Sequence, residues 1–572
     1  LPAVTQLFTE PYMVAFLLHN SLGAWWATRH PGKPCPVSLD HFRTLDDGTP
    51  SAGKFEGWPE SLAEFKLLDP CCGSGHFLVA AFLLLVPMRM AAEDLSAREA
   101  VNRVLAENLH GLEIDPRCVE IAVFAVALEA WRYLDESGRP LGMREIPAPN
   151  IACCGLKVAA KSQDWEALVP DEAPNAEYVR QELRQLHASF SDAPLLGSLL
   201  DPARSMKNDL VTSSYDTLTA LLRKALATER PASLFNEDDD RWELALSAQG
   251  LLEAARLLDA RYHLVVTNVP YLSRGKQADL LKDYCDLHYG DSKSDLANVF
   301  LERCIELSLS KSSGVVQIVM PQNWLSLVTY QGQRERLLKE ATWNLFAFLG
   351  AKSFQTPMWD FNVLLLTVTN GSPLAGSISS GIDAVKGKSA DEKSDLLLSQ
   401  LMTRVTQAAQ LANPGARVLL RDAANNGALL SAVAKSFQGV KTGDDGRYRA
   451  CFWEVTLPSE EWIFFQSTSN STVEYQGLES VVRWGANGDG LARRQGLGAW
   501  RSKGVAISQM GALPATIYMG GAFDSNVSPI IPSNPEDLPA LWAYCSSSEY
   551  RKNVREIDKK VAVANATLVQ VP

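Results

Sequence analysis

The chain has 572 residues, 46% hydrophobic and 21% charged, the balance of an ordinary globular protein with room for two to four domains. Its net charge of −12 excludes a uniformly basic nucleic-acid binder, but the charge is uneven: from Gly371 onward 20 Lys and Arg stand against 19 Asp and Glu, so all the acidic excess lies earlier. None of the ten cysteines is spaced C-x-x-C, which argues against a zinc site and a disulfide framework, and the longest apolar run, FLVAAFLLLVPM from Phe77, is too short to span a bilayer. The chain opens on Leu1 with no basic-apolar-cleavage pattern, so no targeting signal is readable, the numbering can begin inside a longer protein, and the cytoplasm is the expected compartment.

In chain order, TQLFTEP at 5–11 comes first, and FKLLDP at 65–70 reads as the first strand. It ends in Asp69-Pro70 and runs into CCGSGHF, where Gly73 and Gly75 make a tight turn that opens a helix. Glycines there let the backbone approach a ligand, and the helix N-terminus favours an electron-rich group. HGLEID at 110–115 is the second strand, ending in Glu113 and Ile114. A carboxylate at that place can accept both hydroxyls of a ribose, and Ile114 can pack on a flat base. Glu113 could equally serve as an acid at a helix N-terminus. NIACC at 150–154 is the third strand. Residues 156–260 then break the pattern with mostly polar, helix-leaning sequence, expected to be an inserted helical lobe whose acidic run Glu237-Asp238-Asp239-Asp240 is solvated surface.

YHLVVTN at 262–268 reads as a buried parallel strand, followed by the turn Asn268-Val269-Pro270-Tyr271. Turn residues end many strands for conformational reasons alone, but in an open α/β sheet the carboxyl ends of strands are where ligands bind. GVVQIVMP at 314–321, LFAFLGA at 345–351 and NVLLLTVT at 362–369 complete seven strands of one doubly wound α/β domain. Small and polar residues at 371–394 read as a linker, and residues 395–572 as a separate region of helix, short strands and Gly-rich turns. Its basic residues Lys441, Arg447, Arg449, Arg493, Arg494, Arg501 and Lys503 lie among aromatics, as on a DNA-facing surface, although ordinary solvated surface has the same composition residue by residue.

Together, TQLFTEP, DPCCGSGHF, GLEIDP and NVPY, in that order, resemble the class I S-adenosylmethionine-dependent methyltransferases, and among them the gamma group of N6-adenine DNA methyltransferases. TQLFTEPYMVAFLLHNSLGAWW and GVKTGDDGRYR at 439–449 look most like the methyltransferases of BREX and DISARM phage-defence systems. The resemblance implies a Rossmann-like seven-stranded core (1–155 and 261–370), a helical insertion (156–260) and a mixed α/β target-recognition region (395–572). It implies S-adenosylmethionine held by Thr9, Asp69, Gly73, Gly75, Phe77, Glu113 and Ile114, with duplex DNA and other defence proteins as partners. It makes 268–271 the catalytic turn, with Tyr271 and Phe354 (or else Phe361) stacking on a flipped adenine. Asp295 would be the recurrent acid of the next segment, or simply a helix cap. Two departures stand out. Val269 replaces the first proline of Asn-Pro-Pro-Tyr, and NIACCGLKV lacks the family's acid near the donor's adenine ring. These keep two alternatives open: a DNA-binding sensor with little turnover, and a methyltransferase acting on RNA or on a protein glutamine.

Overall fold

The computed structural model describes residues 8–156, 158, 161–167, 169, 171, 176–202, 250–355, 361–420, 429–558 and 561–572. The chain divides into two compact units, one of Leu1–Gln322 with Gly332–Leu411 and the other of Asn323–Gln331 with Ala412–Pro572.

The first unit is built on a nine-stranded sheet of β1 (Leu67–Asp69), β2 (Leu109–Glu113), β3 (Asn150–Cys153), β4 (Leu264–Asn268), β5 (Val315–Pro321), β6 (Thr342–Gly350), β7 (Val363–Thr369), β8 (Ile378–Asp383) and β9 (Thr403–Thr406). Their order is β3-β2-β1-β4-β5-β7-β6-β8-β9. Strands β1 to β5 run parallel, β7 is antiparallel to both neighbours, β6 and β8 are parallel, and β9 is antiparallel to β8. Each of the seven stretches expected to be a strand is one, within a few residues at its ends. The near-continuous apolar runs of β4, β5 and β7 follow from burial on both faces. Helices His76–Glu93, Pro116–Arg132 and Leu296–Leu307 lie in the connections between successive parallel strands. The chain order reverses direction between β1 and β4, and such a switch point leaves a crevice at the strand ends.

Among the described residues, His76–Glu93 is the one helix long and apolar enough to cross a membrane, yet half of it is buried, with Phe77, Leu78, Phe82 and Leu85 in the hydrophobic core. The apolar run read from the sequence is thus part of an 18-residue core helix.

The expected linker at 371–394 is a correction. Its residues Ile378–Asp383 form β8, paired with β6 from Ser380 to Asp383, and the helix Ala390–Ser399 follows. The small residues of ISSGID are mostly buried, so low hydrophobicity there reflects tight packing and not a loose tether. The first unit accordingly continues to Leu411, past the boundary expected at 394/395. The described parts of 156–260 include the helices Ser162–Glu166, Ala176–Phe190 and Ala193–Leu196 and a helix at 250–259; the acidic run at 237–240 lies outside the described residues.

The second unit carries two four-stranded sheets. One contains β10 (Ala434–Ser436), β17 (Val527–Pro532), β14 (Gly504–Ser508) and β15 (Ala515–Tyr518), in that order; the other contains β11 (Arg449–Cys451), β13 (Ser480–Arg483), β12 (Trp462–Gln466) and β16 (Ala522–Phe523). Helices Leu538–Cys545 and Ser548–Ile557 close a core around Leu541, Tyr550 and Val554.

Candidate active site

The site forms where β1, β2 and β4 end side by side. Leu67 and Leu68 of β1 pair with Leu109 and His110 on one side and with Leu264 and Val265 on the other, which brings Asp69, Glu113 and Asn268 to one edge of the sheet. Asp69 is 1% exposed and accepts the Cys71 N–H at 3.2 Å. Burial, with a smaller push from the Glu113 charge, lifts its carboxyl from 3.8 to about 7.

After Asp69 the backbone turns through two left-handed glycines, Gly73 at φ 52° and Gly75 at φ 88°. A Cβ on Gly75 would come within 3.2 Å of Ala122 in the Pro116–Arg132 helix, a tight approach at a left-handed backbone that favours glycine. A Cβ on Gly73 would meet nothing within 4 Å; its left-handed backbone, and not crowding, selects glycine, and the space above it is open. Glu113 accepts the Gly73 N–H at 2.9 Å and the Asp115 N–H at 3.0 Å, which joins the second strand end to the glycine turn. Two carboxylate oxygens hold about four acceptor positions, so two hydroxyls can still be received. Ile114 is 39% exposed beside it. Asp115 instead caps the following helix through the Arg117 N–H at 3.0 Å.

Thr9 lines the same groove as Ser74, Gly75 and His76. Its segment is held from behind. Glu10 accepts the Gln355 N–H at 2.7 Å, and the Tyr12 hydroxyl donates to the Ser353 carbonyl at 2.9 Å. Open space at Gly73, an acceptor-rich Glu113, an exposed apolar Ile114 and a buried Asp69 fit a cationic nucleoside such as S-adenosylmethionine. Phe77, nearly as buried as Asp69, is 2% exposed and packs in the hydrophobic core.

At the end of β4, the Tyr271 hydroxyl donates to Asn268 Oδ1 at 3.3 Å, so the ring fixes the amide's orientation. Val269 is buried and its N–H reaches the Val319 carbonyl of β5 at 3.4 Å, so this residue stays tied to the sheet without a proline. Downstream, the Leu272 carbonyl accepts the Leu296 N–H at 3.0 Å, and the Arg274 N–H donates to Ser294 O at 3.0 Å. Asp295 caps the Leu296–Leu307 helix through the Ala297 N–H at 3.0 Å, the simpler of its two readings. Burial raises the Asp295 carboxyl, and burial followed by the Asp295 charge raises the Tyr271 phenol, so the phenol stays protonated.

Phe354 and Phe361 are the two rings expected from sequence as the second stacking aromatic. Phe354, the first choice from sequence, is 8% exposed and sits in the core cluster. Phe361 packs edge-on against Tyr271 with ring centroids 5.4 Å apart. Both rings pack on the same hydrophobic core, and it is Phe361 that meets Tyr271.

The basic residues of the second unit divide. Lys441 and Arg493 are exposed and stand directly opposite each other, exchanging both backbone hydrogen bonds at 3.0 and 2.9 Å. Two like charges so placed repel unless an anion lies between them. Arg494, Arg501 and Lys503 are exposed, and Arg447 lies over the Tyr448 ring at 5.1 Å. Arg449 is different. It donates to Ser480 Oγ at 3.2 Å, Ser467 Oγ at 2.6 Å and Asp524 at 3.2 Å while packing over Phe465, so its guanidinium is committed inside the unit.

Sequence reasoning missed the turn at 197–200, which lies against Ile114 and Cys71 and is gripped by Arg303. No local signal connects Ser198 with an arginine 105 positions away.

With this geometry in place, comparison with known proteins is specific. Residues 107–354 match the Eco57I restriction-modification methylase family. The matched segment runs from just before β2 to four residues after β6 and so contains Glu113 and the whole 268–271 turn. Beyond it, the chain is 27% identical over 370 residues to the adenine-specific methyltransferase PglX of Lacticaseibacillus casei (strain Zhang), covering 62% of this chain and 28% of that protein. It is 28% identical over 379 residues to the adenine-specific methyltransferase BrxX of Escherichia coli O9:H4 (strain HS), covering 62% of this chain and 29% of that one. The chain therefore spans under a third of the length of these relatives. Its fold is similar to that of the Type IIL restriction-modification enzyme MmeI in complex with DNA, with TM-score 0.52, 12% identity and coverage of 98% of this chain and 67% of MmeI. The DrdV–DNA complex matches at TM-score 0.52 and 10% identity, covering 100% of this chain and 56% of that one.

Proposed function

We propose that this chain transfers a methyl group from S-adenosylmethionine to adenine N6 at a short site in duplex DNA, as the modifying arm of a BREX- or DISARM-like phage-defence system. One observation carries the reading: Asn268 Oδ1, held by the Tyr271 hydroxyl, stands at the strand end beside Asp69 and the glycine turn. The sheet order from β3 to β6, with only β7 reversed, supports a class I methyltransferase core, and the Eco57I-type segment and the adenine-specific relatives support the substrate.

Each residue then has a task. An exocyclic amine is a poor nucleophile because its lone pair is delocalised into the ring. Asn268 Oδ1 and the Val269 carbonyl accept its two hydrogens, favouring the tetrahedral, cationic nitrogen of the transition state. Tyr271, with Phe361 behind it, stacks on a base that must leave the duplex to reach the turn. Glu113 would receive the donor's ribose hydroxyls, Ile114 would pack on its adenine, and Asp69 with Thr9 would hold its amino-acid end. S-adenosylmethionine supplies the electrophilic methyl carbon on its sulfonium. Holding amine and methyl in line provides the rest of the rate, with no strong base required. The exposed cations Lys441, Arg447, Arg493, Arg494, Arg501 and Lys503 contact phosphates in the target-recognition region.

The test is long-read sequencing of DNA from cells expressing the protein with and without its genomic neighbours. N6-methyladenine at one short motif is expected, and dependence on the neighbours would identify partners. DNA and donor binding without any modified adenine would replace this reading with that of a recognition subunit.

A further inference from the structure

The turn at 197–200 lies within the helical insertion, yet it touches two strand ends of the core. Gly197, at φ 52°, packs so closely on Ile114 that a Cβ would sit 3.1 Å from Ile114 Cδ1. Ser198 is 3% exposed, and its Oγ lies 3.9 Å from Cys71 Sγ, at the start of the glycine turn. One short turn therefore adjoins both the residue after Glu113 and the residue two after Asp69.

This turn is held by side chains from the segment that follows the catalytic turn. Arg303, fully buried in the Leu296–Leu307 helix, donates from Nε to Ser198 O at 3.1 Å and from Nη2 to Leu200 O at 2.5 Å. Its Nη1 pairs with Glu306 at 3.1 Å and Asp201 at 3.6 Å. The Tyr284 hydroxyl donates to Leu199 O at 2.8 Å. A buried guanidinium spent on backbone carbonyls fixes their position far more firmly than an external lobe requires. The end of β3, meanwhile, offers only Cys153, Cys154 and Gly155, with Gly155 pressed against the Ile114 backbone.

We propose that residues 197–200 form the adenine-side wall of the S-adenosylmethionine pocket, with the Ser198 hydroxyl as the polar contact that the carboxylate-free end of β3 lacks. The proposal rests on the donor reading above. Gly197 extends the apolar surface of Ile114, Ser198 supplies the hydrogen-bonding edge, and Arg303 and Tyr284 are positioning residues that act through the turn's backbone.

Photoaffinity labelling of the full chain with 8-azido-S-adenosylmethionine, followed by tryptic mapping, tests this directly. Label is expected in the peptide 185–204 and should disappear with excess S-adenosylhomocysteine. Specific label confined to peptides carrying 113–114 or 154–156 overturns the wall. Calorimetry of S-adenosylhomocysteine binding gives a second readout. Ser198→Ala and Gly197→Ala should each weaken binding about tenfold, with the serine variant melting as the wild type does. Wild-type affinity in Ser198→Ala overturns the hydroxyl contact even if the glycine variant fails to fold. A wild-type chain that binds no S-adenosylhomocysteine defeats the donor reading itself; one that binds it without labelling 185–204 defeats only the wall.

Discussion

Asp69 and Asn268 stand at adjacent strand ends, and each makes a different prediction. Burial lifts the Asp69 carboxyl to about 7, so the free site is partly protonated at neutral pH. A cationic donor favours the ionised form, so its affinity should fall by up to about tenfold per unit as pH drops below 7. Calorimetry in buffers of different ionisation enthalpy should show proton release on binding near pH 6.5; affinity constant from pH 6 to 8 would remove Asp69 from donor contact. The same shift makes the free protein lose stability as pH rises from 3.8 to about 7, because over that window the folded state keeps a proton that the unfolded state has released. Asn268→Ala should lower methyl transfer by about 10²- to 10³-fold or more, with S-adenosylhomocysteine affinity nearly unchanged. Normal methylation by that variant would sink the mechanism. At this scale the sequence was most informative for glycines, carboxylates and the turn, whose chemistry is local. It was least informative for Phe354 and Phe361, seven positions apart around the same loop, because which of two rings meets Tyr271 depends on packing from distant elements. The partners of Arg449 were hidden for the same reason: Ser467, Ser480 and Asp524 are distant in the chain.

Among elements, the glycine turn and its helix have the sharpest mechanical consequence. Gly75→Ala meets both an unfavourable backbone at φ 88° and the Ala122 backbone at 3.2 Å. It should cost about 1–3 kcal/mol of stability and weaken donor binding further than the stability loss explains. Urea unfolding and calorimetry on the same preparation separate the two, and an unchanged urea midpoint would contradict the close approach. Strands with continuous apolar runs were readable because burial on both faces leaves that mark. β8 was not, because ISSGID packs with serines and a glycine that imitate a linker. The turn at 197–200 was invisible for a third reason: its grip comes from backbone carbonyls, which carry no side-chain identity.

For the whole molecule, the near-neutral region from Gly371 onward, with opposed, exposed Lys441 and Arg493, predicts DNA affinity that is strongly salt-dependent. Replacing both with alanine should lower the slope of log affinity against log salt by about two, uniformly across target sequences. A slope that did not move would show these cations to be ordinary surface. The division into units was only partly legible, because the chain leaves the first unit at Asn323, returns at Gly332 and leaves again at Ala412. That excursion places Trp324, 1% exposed, inside the second unit, where Leu325 O accepts the Val418 N–H at 3.2 Å and Ser326 O accepts Arg417 Nε at 3.2 Å. On the proposed function, the second unit therefore cannot be exchanged between homologues as one contiguous cassette. A chimera joined only at 411/412 would pair a foreign Ala412–Pro572 segment with the resident Trp324. Recombination that preserves folding has to carry the nine-residue loop along with it, which on the proposed function ties the inheritance of target choice to a segment that begins two residues after the fifth strand.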